Sequence, residues 1–273
     1  MANVELVDSI DLDWLEREAR KEPVVHAYPL WDLLTMPDRT RFVSIRRDGR
    51  TLGYLIIWLG NPEEPILHWV GPAEETLPLA ERLPPRPLVA VVAEDIAPAV
   101  VAKRGPSSAT VPLVHMLRRR DLPAALASKP RVRRLRNDDR AGVVDLVSAA
   151  SIPGAGFDPL LEGYRTLDFD QIASWAAFDS DGRVLGVARN TVRLPHVWVV
   201  SGVYVRPDAR NQGLAKGIVA AFIQEATKAG ADSALFCREE NAPARRAYEH
   251  LGFEVTARRL WMGLGARVAP LPP

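Results

Sequence analysis

The sequence is poor in the residues on which several chemistries depend. It has one cysteine, Cys237, among 273 residues. No disulfide can form within the chain, and a reducing compartment is expected. Charge of neither sign is in excess, since 35 Lys and Arg face 34 Asp and Glu. Overall attraction to nucleic acid or to an anionic membrane is therefore not expected. No apolar run approaches the roughly 20 residues of a membrane-spanning helix; PLVAVVAE is typical of the longest. The opening stretch, MANVELVDSIDLDWLEREARKE, is acidic and lacks the apolar centre of a secretory signal. The five histidines are scattered, without the spacing of metal ligands, so no metal is expected. Neither the phosphate loop GxxxxGKS/T, nor the dinucleotide fingerprint GxGxxG, nor the nucleophile elbow GxSxG occurs. These absences leave a cytoplasmic protein that is neither a metalloenzyme nor a serine hydrolase.

What is present reads as two α/β halves, in line with about 150 residues per domain. In the first half, helices are expected at Asp11–Glu22, ended by Pro23, and at Tyr28–Met36. RFVSIRRDGRTLGYLIIWL follows as a hairpin turning at Asp48-Gly49. After it come a strand (PILHWV), a helix (Glu74–Arg82), a strand (PLVAVVA), a helix (Asp95–Lys103) and a strand (SATVPLVHML). RRRDLPAALASKPRVRRLR reads as the boundary, giving domains at 1–125 and 131–273. The second half repeats the order. A strand (RVRRLR) precedes a helix from Asp138 or Asp139, and GAGFDPLLEGY gives a loop and a short helix. SWAAFDSDGRVLGVARNTV is a hairpin turning at Asp181-Gly182, not a calcium loop. Then come VWVVSGVYV, a helix at Ile218–Ala229, the strand SALFC, a helix at Ala242–Leu251, the strand FEVTARRLWM and a loose tail, ARVAPLPP. The arginines at 131, 133, 134 and 136 read as one solvated strand face and not as a nucleic-acid surface.

One stretch breaks the local rules. RNQGLAKG, residues 210–217, opens a long helix on glycines, the residue that costs helices most after proline. A helix start has backbone N–H groups without partners and a partial positive charge. Glycine there lets backbone approach an anion closely. With Arg210 and Gln212 beside it, the stretch has the chemistry of a phosphate cradle.

Downstream stands LFCREENAPARRAYEHLGF. Asn241 can cap a helix whose Ala244, Ala247, Tyr248 and Leu251 share one face, and Gly252 ends it. The strand VYVRP, then RxxGxA, a further strand, and NxxAxxxYxxxGF together resemble the GCN5-related N-acetyltransferase (GNAT) superfamily, over residues 197–255. The resemblance implies an α/β (α+β) fold of two such domains in tandem, each a mostly antiparallel mixed sheet flanked by helices. It implies acetyl-CoA as cofactor, with its pyrophosphate on the backbone of Arg210, Asn211, Gln212, Gly213, Leu214, Ala215 and Lys216. The pantetheine arm would pair with the splayed strand at Val203, Tyr204 and Val205, and Asn241 would touch it. Tyr248 would protonate the departing thiolate, as a phenol of pKa about 10 keeps its proton at neutral pH. Backbone N–H near Val203 could stabilise the oxyanion.

Relatives commonly carry a glutamate on the strand matching VWVVSGVYV, which here has no carboxylate. Asp168, Asp170 and Glu239 are candidate bases by charge alone, and Ser201 could hold a water. Cys237 reads as a buried strand thiol. In the first half the loop is missing, and Glu74 and Glu75 stand where a pyrophosphate would lie. That half is expected to be a degenerate copy. The expected activity is acetyl transfer to a primary amine of a small molecule or peptide, directly within a ternary complex. The alternative is a non-catalytic module that responds to CoA. No nucleic-acid or membrane partner is expected, and a homodimer is left open.

Overall fold

The computed structural model describes residues 4–60, 64–123, 131–148 and 159–265. The boundary at 124–130, the loop preceding Pro159 and the tail from 266 lie outside the described residues. The chain forms two compact units.

In the first unit, β1 (Val4–Val7) precedes α1 (Leu12–Lys21), which Asp11 caps by accepting a hydrogen bond from the Trp14 N–H at 3.0 Å. α2 spans Pro23–Thr35. It begins five residues before the sequence suggests, because Pro23 both stops α1 and occupies the first turn of α2, where a missing N–H costs nothing. β2 (Thr40–Arg47) and β3 (Arg50–Trp58) are joined by Asp48 and Gly49 at φ 50° and 78°. Both are left-handed, as a two-residue hairpin turn requires. β4 (Ile66–Val70) follows. The helix expected over Glu74–Arg82 is instead one short turn, α3 (Ala73–Thr76), continued as a 3-10 stretch over Leu77–Arg82. Pro78 has no N–H with which to carry an α-helix on. β5 (Leu88–Val92), α4 (Ala97–Arg104) and β6 (Ala109–Arg118) complete the series. Leu55, Leu67, Trp69, Leu88, Ala90 and Val92 are buried together on one face of this sheet. On the other, α2 brings His26 Nδ1 to 2.7 Å from the Tyr54 hydroxyl.

In the second unit, β7 (Arg131–Arg134), β8 (Ser174–Phe178), β9 (Val184–Arg193), β10 (Val197–Val205) and β11 (Asp232–Arg238) stand in the order β11-β10-β9-β8-β7. All neighbours are antiparallel except β10 and β11. That parallel pair needs a crossover, supplied by α7 (Leu214–Lys228), four residues longer at its start than the expected helix. α7 covers one sheet face, where Phe222 meets Trp175 at 5.4 Å and Trp198 at 6.4 Å between ring centroids. α5 (Arg140–Ser148) and α6 (Pro159–Thr166) cover the other, with Val143, Leu146, Val147 and Tyr164 buried beside Val187. α8 (Ala242–His250) follows β11.

The last strand, β12 (Glu254–Leu264), does not stay with the half that precedes it. It pairs antiparallel with β5, from Leu260↔Val92 to Leu264↔Leu88, and the first unit takes in Val255–Val268 as well as Arg238–Glu240. The sequence places those residues within 131–273. In the structure β12 closes the edge of β5 left open by the β4–β5 pair, a row of backbone groups that needs a partner. Among the described residues, no helix is long and apolar enough to cross a membrane.

Candidate active site

The site is built on the fork between β10 and β11. These strands pair only over Val197–Val199 with Asp232–Ala234, so β10 runs on to Val205 with no partner on β11. Its other edge is also interrupted. Ser201 pairs with Arg189 and Tyr204 with Val187, leaving Gly202 and Val203 as a bulge without partners on β9. Gly202 takes φ 60° there, a conformation that glycine adopts without cost. Val203 and Val205 are half-buried and Tyr204 is buried, packed with the α5 and α6 cluster. Bulges of this kind are enriched next to active sites, where they end pairing and re-aim the chain.

After β10 the chain turns through residues 210–216. Asn211 and Gly213 both have positive φ, at 62° and 77°, with Gly213 at the N-cap of α7. Successive N–H groups in such a turn converge into a concave donor set. None of the main-chain N–H groups of Asn211, Gln212, Gly213, Leu214, Ala215 and Lys216 has a hydrogen-bond partner among the described residues; the first intrahelical bond runs from Gly217 N to Gly213 O at 3.0 Å. A Cβ added to Gly213 would meet nothing within 4 Å. Six donors therefore surround open space at the positive end of a fifteen-residue helix. Asn211 and Gln212 are exposed, and Lys216, half-buried in the first helical turn, has no ion pair among the described residues. Arg210 is turned back, its Nε donating to Val205 O at 3.2 Å with the guanidinium 5.9 Å from the centre of the Tyr204 ring.

Tyr248 lies on α8, 7% exposed, with its ring edge-on to Phe253 at 6.1 Å. Its hydroxyl has no hydrogen-bond partner among the described residues. Burial, and secondarily the neighbouring Cys237, push the phenol above the ordinary tyrosine range. It is a proton holder throughout the neutral range. α8 packs on α7, so the two elements that carry the loop and the tyrosine are in contact. Asn241 caps α8 by accepting from Ala244 N at 3.1 Å, which leaves its NH2 without a partner among the described residues.

The candidate bases do not gather here. Asp168 and Asp170 both accept from Asn137 Nδ2, at 3.0 and 2.7 Å, and Glu239 pairs with Arg258 at 2.9 Å. Cys237 is buried. Ser201 does stand at the bulge, its buried Oγ without a partner among the described residues. Three residues that the motifs do not mark stand with it. Tyr164, on α6, donates its hydroxyl proton to Gly202 O at 3.1 Å. Arg189 lies over the Tyr164 ring, 5.5 Å from its centre. Asn190, next on β9 and so on the opposite sheet face, is buried with neither amide atom partnered among the described residues. The available signal was the pair Arg189-Asn190 directly after the apolar run VLGVA in the strand VLGVARNTVR.

Residues 146–253 match the model of the Acetyltransferase (GNAT) family. Over 114 residues the chain is 31% identical to the aminoglycoside N(6′)-acetyltransferase type 1 of Salmonella typhimurium, covering 36% of this chain and 74% of that one. The chain belongs to the GNAT acetyltransferase family. It is thus an acyltransferase, and its GNAT fold extends beyond the matched residues. A GCN5-related N-acetyltransferase from Sphaerobacter thermophilus superposes with a TM-score of 0.65 at 13% identity, over 99% of this chain and 98% of that one. A tandem GNAT protein from the clavulanic acid biosynthesis pathway does so with a TM-score of 0.58 at 16% identity, over 97% and 99%. The two units are thus both GNAT-like. In the first, the position after β4 holds no comparable donor set. Pro72 is the N-cap of the four-residue α3, Glu74 and Glu75 fill its first turn, and Glu75 is paired with Arg47 at 2.9 Å.

Proposed function

We propose that the second unit is an acetyl-CoA-dependent N-acyltransferase that acetylates a primary amine of a small molecule or peptide, directly in a ternary complex. The observation that carries this reading is the set of six N–H groups at residues 211–216 without partners among the described residues, with open space at Gly213. A helix start leaves such N–H groups to water or to a ligand, and here a left-handed Asn211 and Gly213 turn them toward open space that a diphosphate can fill. The donor set fits the cofactor in kind, because helix N-termini with glycine favour phosphate oxygens. Val203, Tyr204 and Val205, free of β11, can bond an amide-bearing chain as an added strand would, and the Asn241 NH2 is available to the same arm. Acetyl-CoA, when bound, supplies the acyl group as an activated thioester.

The residues of the chain then have separate tasks. Tyr248 holds a proton that its buried setting keeps in place at neutral pH; it would be the residue to protonate the thiolate as the C–S bond breaks, regaining a proton from solvent. The acceptor's own proton passes to solvent. Backbone N–H at the bulge, near Val203, would donate to the negative charge on the acyl oxygen, a role its lack of a partner on β9 supports. No carboxylate stands on β8, β9 or β10, so Ser201 is the polar group best placed to hold a water beside the amine. The Salmonella relative is named for an aminoglycoside; for this chain we assign only an amine.

The test is binding and turnover together. Acetyl-CoA should bind to the wild type, and Gly213→Glu, which places bulk and negative charge in the cradle, should abolish binding. Tyr248→Phe should bind normally and turn over slowly. Stabilisation by ATP but by no CoA species would overturn the proposal. Acetyl-CoA binding with no transfer to any amine would instead favour the non-catalytic, CoA-responsive alternative.

A further inference from the structure

Beside the bulge, one row of side chains crosses three strands. Ser174 on β8 pairs with Arg189 on β9, and Arg189 pairs with Ser201 on β10. Residues that pair in this way project from the same sheet face. That face is the one covered by α5 and α6, because Arg189 lies over Tyr164 and its NH1 sits against Gly163. Ser201 is followed directly by Gly202, whose carbonyl Tyr164 anchors. The row therefore ends at the point where the proposed acyl group is held.

Arg189 is only partly exposed, and its Nε is buried without an acceptor. It has no hydrogen bond and no acidic partner within ion-pair distance among the described residues, and the Ser201 Oγ beside it is equally without a partner. A half-buried guanidinium whose Nε finds no acceptor among the described residues is an expensive arrangement. Tyr164 accounts for part of it through its ring face, but a ring face accepts none of the in-plane N–H donors. The neighbours in the row are Ser174 and Ser201, neither of which carries charge. The unmet need is for oxygen acceptors carrying negative charge, and a guanidinium fork with an adjacent hydroxyl matches a carboxylate.

We propose that Arg189 and Ser201 bind a carboxylate of the acceptor, so that the amine acetylated by this site belongs to an amino acid or another small molecule bearing an acid group close to its amine. This rests on the acetyltransferase reading above and adds the acceptor class. A polycationic acceptor is disfavoured by the same residues. It would meet a cation at Arg189 and find no carboxylate on β8, β9 or β10 to offset it.

The test uses the full chain, acetyl-CoA and matched acceptors: the protein L-amino acids, their carboxamides, and kanamycin as a polycation. Thiol release gives turnover, and thermal shift of the CoA-loaded protein gives binding. The expected result is a preference of at least tenfold in kcat/KM for one or more acids over the matching amides. In Arg189→Met that preference should disappear through a rise in KM for the acid, with the acetyl-CoA KM and the melting temperature unmoved. Arg189→Lys should recover part of the preference, and Ser201→Ala should lower it. Amides or kanamycin serving as well as the acids, or a preference that survives Arg189→Met, would overturn the assignment. Should Arg189→Met fail to fold, the acid-to-amide ratio of the wild type and of Ser201→Ala decides. If no amine is acetylated, the acetyltransferase reading fails, and the thermal arm judges this one. Acids must then stabilise the CoA-loaded protein more than amides do, and Arg189→Met must not respond; an equal response to both would refute it.

Discussion

Replacing Gly213 by alanine separates strain in the loop from occupation of the cradle. Gly213 has φ 77°, and a Cβ there meets nothing within 4 Å. The methyl group is therefore sterically free in the unliganded protein, and its only folding cost is the left-handed backbone, about 1–2 kcal/mol. Gly182, at the tip of the β8–β9 hairpin, provides the matched control, with φ 84° and equally empty surroundings. Gly182→Ala should lose a similar amount of stability. The two variants should differ in binding. A methyl group at 213 stands between the converging N–H groups and their ligand. Losing two hydrogen bonds to a charged acceptor, at about 1.5 kcal/mol or more each, removes about 3 kcal/mol, roughly a hundredfold in Kd. Calorimetric titration with acetyl-CoA, alongside urea unfolding of all three proteins, measures both quantities. The reasoning is refuted if Gly213→Ala binds acetyl-CoA within threefold of the wild type, or if Gly182→Ala loses as much affinity.

Further outcomes follow from single residues. Tyr248→Phe should lower kcat by about 10²–10⁴, the usual worth of a positioned acid, with acetyl-CoA affinity changed less than twofold; an unchanged kcat would remove Tyr248 from the chemistry. Asn241→Ala removes the cap bond to Ala244 N and should cost about 1 kcal/mol, whereas Asn241→Asp should keep most of that stability; equal melting points for the two would argue against the cap. In the first unit, burial raises the Asp32 carboxyl from 3.8 to about 7. A raised carboxyl costs nothing below the unfolded value, and its penalty grows as pH rises to 7, to on the order of 4 kcal/mol. Asp32→Asn should therefore gain stability relative to wild type between pH 4 and pH 8, seen in urea unfolding at both; a pH-independent difference would contradict this. His26 and His68, lowered to about 3 and about 4 chiefly by burial with Arg259 nearby, act oppositely. They stabilise above pH 6.5 and lose that contribution as the pH falls, so Asp32→Asn should steepen the acid limb of the stability profile.

The sequence made legible what depends on local chemistry. Asp48-Gly49 announced its hairpin because both residues take positive φ, and in Asp181-Gly182 the glycine alone does. The loop at 210–216 and the cap at Asn241 stand out because backbone N–H groups impose residue types there. The features that depend on partners distant in the chain were less legible. β1 is four residues long and forms only against β2, so its short apolar pattern carried no signal. β12 reads as a strand in any sheet, and nothing in EVTARRLWMGL names β5 as its neighbour. Arg189 and Ser201 come together through the register of β9 with β10, which two bulges shift. A one-residue change in register would send these side chains to opposite faces, so alternation alone could not pair them.

The most direct measurement of the diphosphate cradle is an amide-resolved NMR titration of the full chain with coenzyme A. The N–H resonances of residues 211–216 should move together, saturably and with one Kd, alongside those of Val203–Val205, while the turn at 48–49 stays still. Tight binding that leaves the resonances of 211–216 in place would show that the ligand is held elsewhere and would contradict the assignment of this loop.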